Sequence, residues 1–538
     1  MIRLKGRSLG VETGAHVNST MAPPPDTAST PTGATPAQVL AAMLVGAAAL
    51  CWWLARPRRR RSSTVPTASG ALPIVGHALA FKKDPAGFLS AQSRALGAVF
   101  RINLAGKRMV VIGSGDRAAM KSVAMASEKV LSARHAVAAV GFEQTLGLYN
   151  VHHGTDFHKR VLKGFVHGAG KLEAEIPQLH AALARALAQE LRQGAVPPPP
   201  AADGGARAVA DLLALVRRVV LRAVIERLLG RSFARRAGGA FVLEFMGLQD
   251  QIEDATAKAA VLPRWLSLPL VLWPVAFRRR RLGSRLARLV TAALGDADAS
   301  PGDHGPWLRA FRTRGLTAGQ GGELIIGLLF AAHKNPAIAA AQSYLNLMCE
   351  TESASERALA AAEAASLRQT PTAATLQQCG ALRRCCLETL RLTAHTIGAV
   401  RTVMSRFVVR SSHGHEHTVH PGETIAISHI ASSLDPVLFG EDAASYRPGR
   451  QEWALPAAGA DADTLRSNVD EYKMTTFSHG LHKCPGERVA IALIQLTVAL
   501  LLQHDIELVG ELPAISFERA TLAQRAGPVA VRLRRRGR

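Results

Sequence analysis

Near the carboxy end runs Phe477-Ser478-His479-Gly480-Leu481-His482-Lys483-Cys484-Pro485-Gly486-Glu487, followed directly by an apolar helical stretch, Val489 to Leu502. A cysteine held in a tight loop, with backbone N–H groups aimed at its sulfur, can bind iron as a thiolate of tempered charge. Gly480 and Gly486 permit the turn and the close approach of a flat cofactor. A helix starting just after Cys484 turns its positive end toward the sulfur, which predicts a lowered thiol pKa. His482 and Lys483 stand where they could meet an acidic group of such a cofactor. The plain alternative is a structural cysteine beside a glycine turn.

Glu388-Thr389-Leu390-Arg391 puts acid and base at i and i+3, on one helix face. Alone it reads as a solvated pair, but Tyr446-Arg447-Pro448-Gly449-Arg450 lies between it and the cysteine loop. His413, His415, His417 and His420 alternate around Gly414 and before Pro421-Gly422, a polar hairpin turn more than a metal site. Of the six cysteines, Cys51, Cys349, Cys379, Cys385 and Cys386 read as apolar thiols. They are too few and too irregular for a disulfide framework, so a reducing compartment is expected.

The elements that must position these groups follow from periodicity. Val99 to Leu104 and Arg108 to Ile112 predict a hairpin. From Leu172 the pattern is helical, and Ala195 to Ala208, with four consecutive prolines, reads as a surface loop. Further helices are expected over Gly322–Met348 and Leu376–Leu392, with short strands between Val400 and Ile427. The order is a little sheet, a long helical body, a little sheet and a helix, with no internal repeat. Val261 to Phe277, apolar, broken by prolines and followed by Arg278 to Arg281, reads either as a segment dipping into a membrane surface or as a buried loop and helix.

The chain has 538 residues, 48% of them hydrophobic, and a net charge of +24. That charge favours acidic partners or anionic membranes; the basic residues are scattered and form no nucleic-acid reading motif. Residues 1–36 are rich in Ser, Thr, Pro and Gly and read as disordered. Residues 37–54 carry no charge and as a helix would span roughly 27 Å, enough for a bilayer. Trp52, Trp53 and the arginines from Arg56 to Arg61 fit an anchor with the following domain cytoplasmic, whereas a cleaved signal would be shorter and nearer the terminus. Residues 55–75 form a basic, proline-containing linker, and 76–538 the catalytic domain.

The cysteine loop resembles the haem-binding signature of the cytochrome P450 family, Phe-x-x-Gly-x-(Arg or His)-x-Cys-x-Gly, through Phe477, Gly480, His482, Cys484 and Gly486. The resemblance implies a mainly α fold with a small β portion, here preceded by a single transmembrane helix. It implies haem b with Cys484 as axial ligand, and a buried structural network of Glu388, Arg391 and Arg450. His482 in place of the commoner Arg, and Tyr149-Asn150-Val151 followed by Lys159 to Lys163, look like the sterol 14α-demethylase group and its divergent kinetoplastid relatives. By that likeness Tyr149, Lys159 and Arg401 would bind haem propionates.

The central helix departs from the family pattern. Where that group shows Ala-Gly-Gln-His-Thr-Ser, this chain has Ala331-Ala332-His333-Lys334-Asn335-Pro336. Asn335 could hold a water and His333 relay a proton, or both could serve backbone groups opened by the proline kink. The resemblance implies a monooxygenase of the endoplasmic reticulum membrane acting on a sterol methyl group at carbon 4 or carbon 14. Electrons would come from NADPH through a separate flavoprotein reductase, since no dinucleotide fingerprint occurs. Fatty-acid or xenobiotic hydroxylation, an oxygen-independent isomerase or dehydratase, and a non-catalytic haem or lipid binder remain as alternatives.

Overall fold

The computed structural model describes residues 65–536 apart from 74, 114, 167–169, 194–206, 263, 297–302, 351–352, 454–471 and 520. The leader 1–36, the anchor 37–54 and most of the linker 55–75 lie outside the described residues. The end of that linker packs against the hairpin: Ala68 N–H donates to Arg101 O, and Arg101 N–H to Pro66 O, each at 2.8 Å. The compact unit, Ser62–Arg538, therefore begins before residue 76.

Strands β1 (Val99–Leu104) and β2 (Lys107–Ile112) form the expected antiparallel hairpin, Val99 opposite Ile112. Ala105 and Gly106 turn it with φ of 48° and 85°, the positive values that match a tight turn to strand twist. The two little sheets read from sequence share one main sheet, while part of the second stands as a separate hairpin. Next come β3 (Leu131–Ser132), β4 (Arg207–Val209), β5 (Gly398–Val403), β6 (Phe407–Arg410), β7 (Glu416–Val419) and β8 (Thr424–Ile427). The main sheet has the order β1-β2-β8-β5-β3, with β2 parallel to β8. β6 and β7 make the histidine-bearing hairpin. The proline-rich stretch ends not as loop but as β4, because β12 (Val531–Arg535) offers it a pairing edge; β12 also pairs with β9 (His504–Leu508).

Helices supply most of the core. α1 (Arg117–Met125) lies beside the sheet. α2 (Lys171–Gln193) packs on α3 (Leu212–Leu228); α3, α4 (Arg231–Val261) and α5 (Trp273–Leu294) hold the central pair, α6 (Ala318–Ala332) and α7 (Lys334–Cys349). The sequence reads the central pair as one helix. It breaks at His333 (φ −120°), because the Pro336 ring crowds the carbonyl of Ala332 and offers no N–H. Ala318–Cys349 is also the one helical stretch among the described residues long and apolar enough to cross a membrane, yet 72% of its most apolar window is buried in the protein. α8 (Gly380–Leu392) and α9 (Glu487–Leu501) complete the body.

After α4, a short helix, Arg264–Ser267, and a π-turn, Leu268–Leu272, lead into α5. Trp265, Leu270, Trp273 and Phe277 are each at least 60% exposed on this segment.

Candidate functional site

The cysteine loop is held by its backbone. Cys484 N–H donates to Phe477 O at 2.8 Å, closing the turn, and Ser478 and Gly480 both take positive φ. A Cβ on Gly480 would collide with the carbonyl of Ala124 on α1, so this glycine serves close packing of the loop on the protein. The Gly486 N–H points at Cys484 Sγ, as expected for a tempered thiolate. The thiol itself is pushed up, not down. Burial outweighs the Gly486 N–H and the nearby Lys483, and Glu487 on the first turn of α9 adds to the rise. A free thiol there stays protonated; coordination to a metal would supply the charge that favours the thiolate.

Cys484 lines a cavity of about 310 Å³, at the small end of the roughly 300–1,000 Å³ of ligand pockets. Phe477, Ala490 and Ile494 share its cysteine side. Ala331, Asn335 and Pro336 bring the broken central pair to the same cavity, which Leu390, Ala399 and Leu522 also line. Small residues at Ala331 and Ala399 leave room for a flat molecule. Cys484 supplies the one sulfur among its lining residues, on walls that are mostly apolar but also carry Asn335, His395, His429 and His482.

Basic side chains gather around His482. Arg401 is buried on β5, its Nη1 donating to Val400 O at 2.9 Å. His482 lines the cavity, with its Nε2 3.5 Å from Glu128. Burial lowers the His482 pKa first, then Arg401; Glu128 opposes them and Lys159 adds to the fall. Three expected propionate-binding groups, Lys159, Arg401 and His482, are thus brought together. Tyr149 stands apart from this group among the described contacts, its ring 4.9 Å from that of His153. One sulfur ligand, a slot between apolar walls and a basic edge fit haem.

Behind α8 the charge network is complete. Arg391 donates to both Glu388 oxygens, at 2.8 and 2.7 Å, and Arg450 Nε reaches Glu388 Oε1 at 3.0 Å. Glu388 and Arg391 are fully buried. Sequence reasoning missed three partners: Trp453 Nε1 and Arg447 N–H, each 3.0 Å from Glu388, and Asp442, 2.8 Å from Arg450. Arg391 also meets the carbonyls of Ser433 and Ala443. Every charge has partners, which is what makes its burial tolerable.

The proposed proton relay divides. Asn335 faces the cavity, its Oδ1 accepting from Leu522 N–H at 3.3 Å. His333 does not. It is fully buried against Phe245, its Nδ1 2.8 Å from Leu329 O, and burial drives its pKa down to about 3. It serves a carbonyl near the helix break, the plainer of its two readings. Lys334 also turns away, bonding Asp250 at 2.7 Å and Glu253, while Arg217 grips Asp250 at 3.0 Å. Gln249 Nε2 caps Phe330 O at 3.1 Å. Only the three-residue spacing of Asp250 and Glu253 on a helix hinted at this cluster.

A helical body with a loop cysteine and a broken central helix lining one cavity, braced by a buried Glu–Arg–Arg lock, is an arrangement that could hold a thiolate-ligated haem. Residues 316–508, which carry the central helix, Glu388, Arg391 and Cys484, match the family model described as Cytochrome P450. The chain is also similar to a sterol 14-demethylase of Arabidopsis thaliana, 30% identical over 166 residues. That match covers 30% of this chain and 31% of the relative, so the chain matches about a third of the relative's length.

Proposed function

We propose that the protein is a haem-thiolate monooxygenase that oxidises a methyl group of a sterol, at carbon 4 or carbon 14, with electrons passed from NADPH by a flavoprotein reductase. The observation that carries this is that Cys484, Ala331 and Asn335 line one cavity. When bound, haem supplies oxygen activation favoured by electron donation from the thiolate. Cys484 would hold the iron, with the Gly486 N–H tempering the sulfur. Arg401 and Lys159 would neutralise the cofactor's acidic edge, and His482 would donate a hydrogen bond there. Ala331, Leu390 and Leu522 exclude water and favour an apolar substrate. Asn335 is the polar side chain of the central helix at the cavity, so it would orient the water that feeds protons.

The sterol preference is supported by the partial likeness to the plant demethylase and by the motif likeness of Tyr149 to Lys163. Residence on the endoplasmic reticulum membrane is supported by the uncharged run 37–54. Exposed Trp265, Leu270, Trp273 and Phe277, beside the arginine run 278–281, add a surface suited to an anionic membrane. The basic surface suits an acidic reductase.

A second reading, haem or lipid binding without turnover, is favoured by Lys334, whose charge is locked away from the cavity. The test begins with the carbon monoxide difference spectrum of reduced protein. A thiolate-type Soret band present in the wild type and lost in Cys484→Ala supports the class. Titration with a methylated sterol, a reductase and NADPH then separates the readings: product in proportion to NADPH supports the monooxygenase, and spectral shifts without product support the binder.

A further inference from the structure

Two histidines that no sequence motif marked stand on the cavity wall. His395 follows α8, and His429 follows β8; both line the same cavity as Cys484. His429 is 96% buried, being 4% exposed, and its Nδ1 lies 2.6 Å from the Thr475 hydroxyl. In the tautomer in which Thr475 donates to Nδ1, the proton sits on Nε2, for which no hydrogen-bond partner is seen among the described residues. That nitrogen lies against Gly398, where a Cβ would collide with it. Glycine at 398 is thus what leaves the imidazole its place beside β5, the strand that carries Arg401.

The electrostatics of this corner are one-sided. Burial keeps both rings neutral, His395 down to about 4 and His429 down to about 3. For His429, His395, His479 and Arg401 all push in the same direction, and no carboxylate opposes them. Glu128 is the acid near Arg401 and His482. A buried donor on the cavity wall with a buried guanidinium near it, and no carboxylate acting on the imidazole, match an anionic oxygen on the occupant.

Resting on the haem reading above, we infer that His429 is a cofactor-positioning residue, its Nε2–H donating to a haem carboxylate alongside Arg401, with Gly398 holding the site open. A hydrogen bond to a charged group contributes about 1.5–3 kcal/mol, so its loss would speed haem release roughly tenfold to a hundredfold.

The test uses the full chain loaded either with haem or with haem dimethyl ester, whose carboxylates are masked. Haem loss to an excess of apomyoglobin is timed for wild type, His429→Leu, His429→Gln and Gly398→Ala. With haem, His429→Leu and Gly398→Ala are expected to release it at least tenfold faster, and His429→Gln, which keeps a donor, to recover most of the difference. With the dimethyl ester, wild type and His429→Leu should release at the same rate. Equal rates with haem overturn the inference, as does an acceleration of the same size with the ester, which would mark a purely structural role. Absence of a thiolate-type carbonyl spectrum from the wild type would instead defeat the haem reading itself.

Discussion

Lys334 Nζ stands 2.7 Å from the Asp250 carboxylate and also meets Glu253, on the side of the central helix turned from the cavity that Asn335 faces. Lys334 is 1% exposed. Burial raises the Glu253 pKa, with Lys334 opposing, whereas Arg217 and Lys334 together hold Asp250 low. The two carboxylates share a pair of cations, and the helix break at His333 is fastened to α4 through them.

Lys334→Met should therefore destabilise the fold by about 3–5 kcal/mol, the usual cost of leaving a buried charge without its partner. Adding Glu253→Gln should return part of that loss. Urea unfolding of the single and double variants measures both. Full additivity of the two changes would show that the pair is not coupled.

Glu388→Gln would leave Arg391 and Arg450 facing a neutral amide inside the protein. About 3–5 kcal/mol of stability should be lost, with poor haem incorporation during expression. Asp442→Asn, at the partly exposed end of the network, should do much less. Comparing soluble yield and haem-to-protein ratio for the two variants checks the order.

His333 and Asn335 should separate cleanly. His333→Phe removes a buried bond to Leu329 O, about 1 kcal/mol, and should leave turnover unchanged. Asn335→Ala removes the polar group at the cavity and should lower product formed per NADPH consumed. A strong coupling defect in His333→Phe would restore the relay that the geometry argues against.

Acid should destabilise the protein through buried histidines remote from the cavity. His158, which accepts from Trp307 Nε1 at 3.0 Å, is driven down to about 4, and His333 to about 3. Their folded values lie below the ordinary 6.5, so the unfolded chain binds more protons between the two. Stability is complete above pH 6.5 and falls as pH drops toward 3–4. The slope approaches about 1.4 kcal/mol per pH unit for each histidine. Urea midpoints at pH 7, 6 and 5 measure the slope, and His333→Phe should flatten it by one proton's worth.

Much of this protein was legible in one dimension. Cys484 with Gly480, His482 and Gly486, the Glu388–Arg391 pair, the β1–β2 hairpin and the kink before Pro336 are local: spacing along a helix or turn sets them, and spacing is visible in a sequence. What tertiary structure decided is everything that depends on which face meets which. Only the packed chain joins β2 to β8 across more than half its length, turns Lys334 and His333 away from the cavity, and sets His429 beside Gly398. The same packing reverses the thiol expectation, because the desolvation of Cys484 comes from walls supplied by distant segments and outweighs the helix end that the sequence displays. Short-range geometry is written in neighbours; burial and electrostatics are sums over residues that the fold alone brings close.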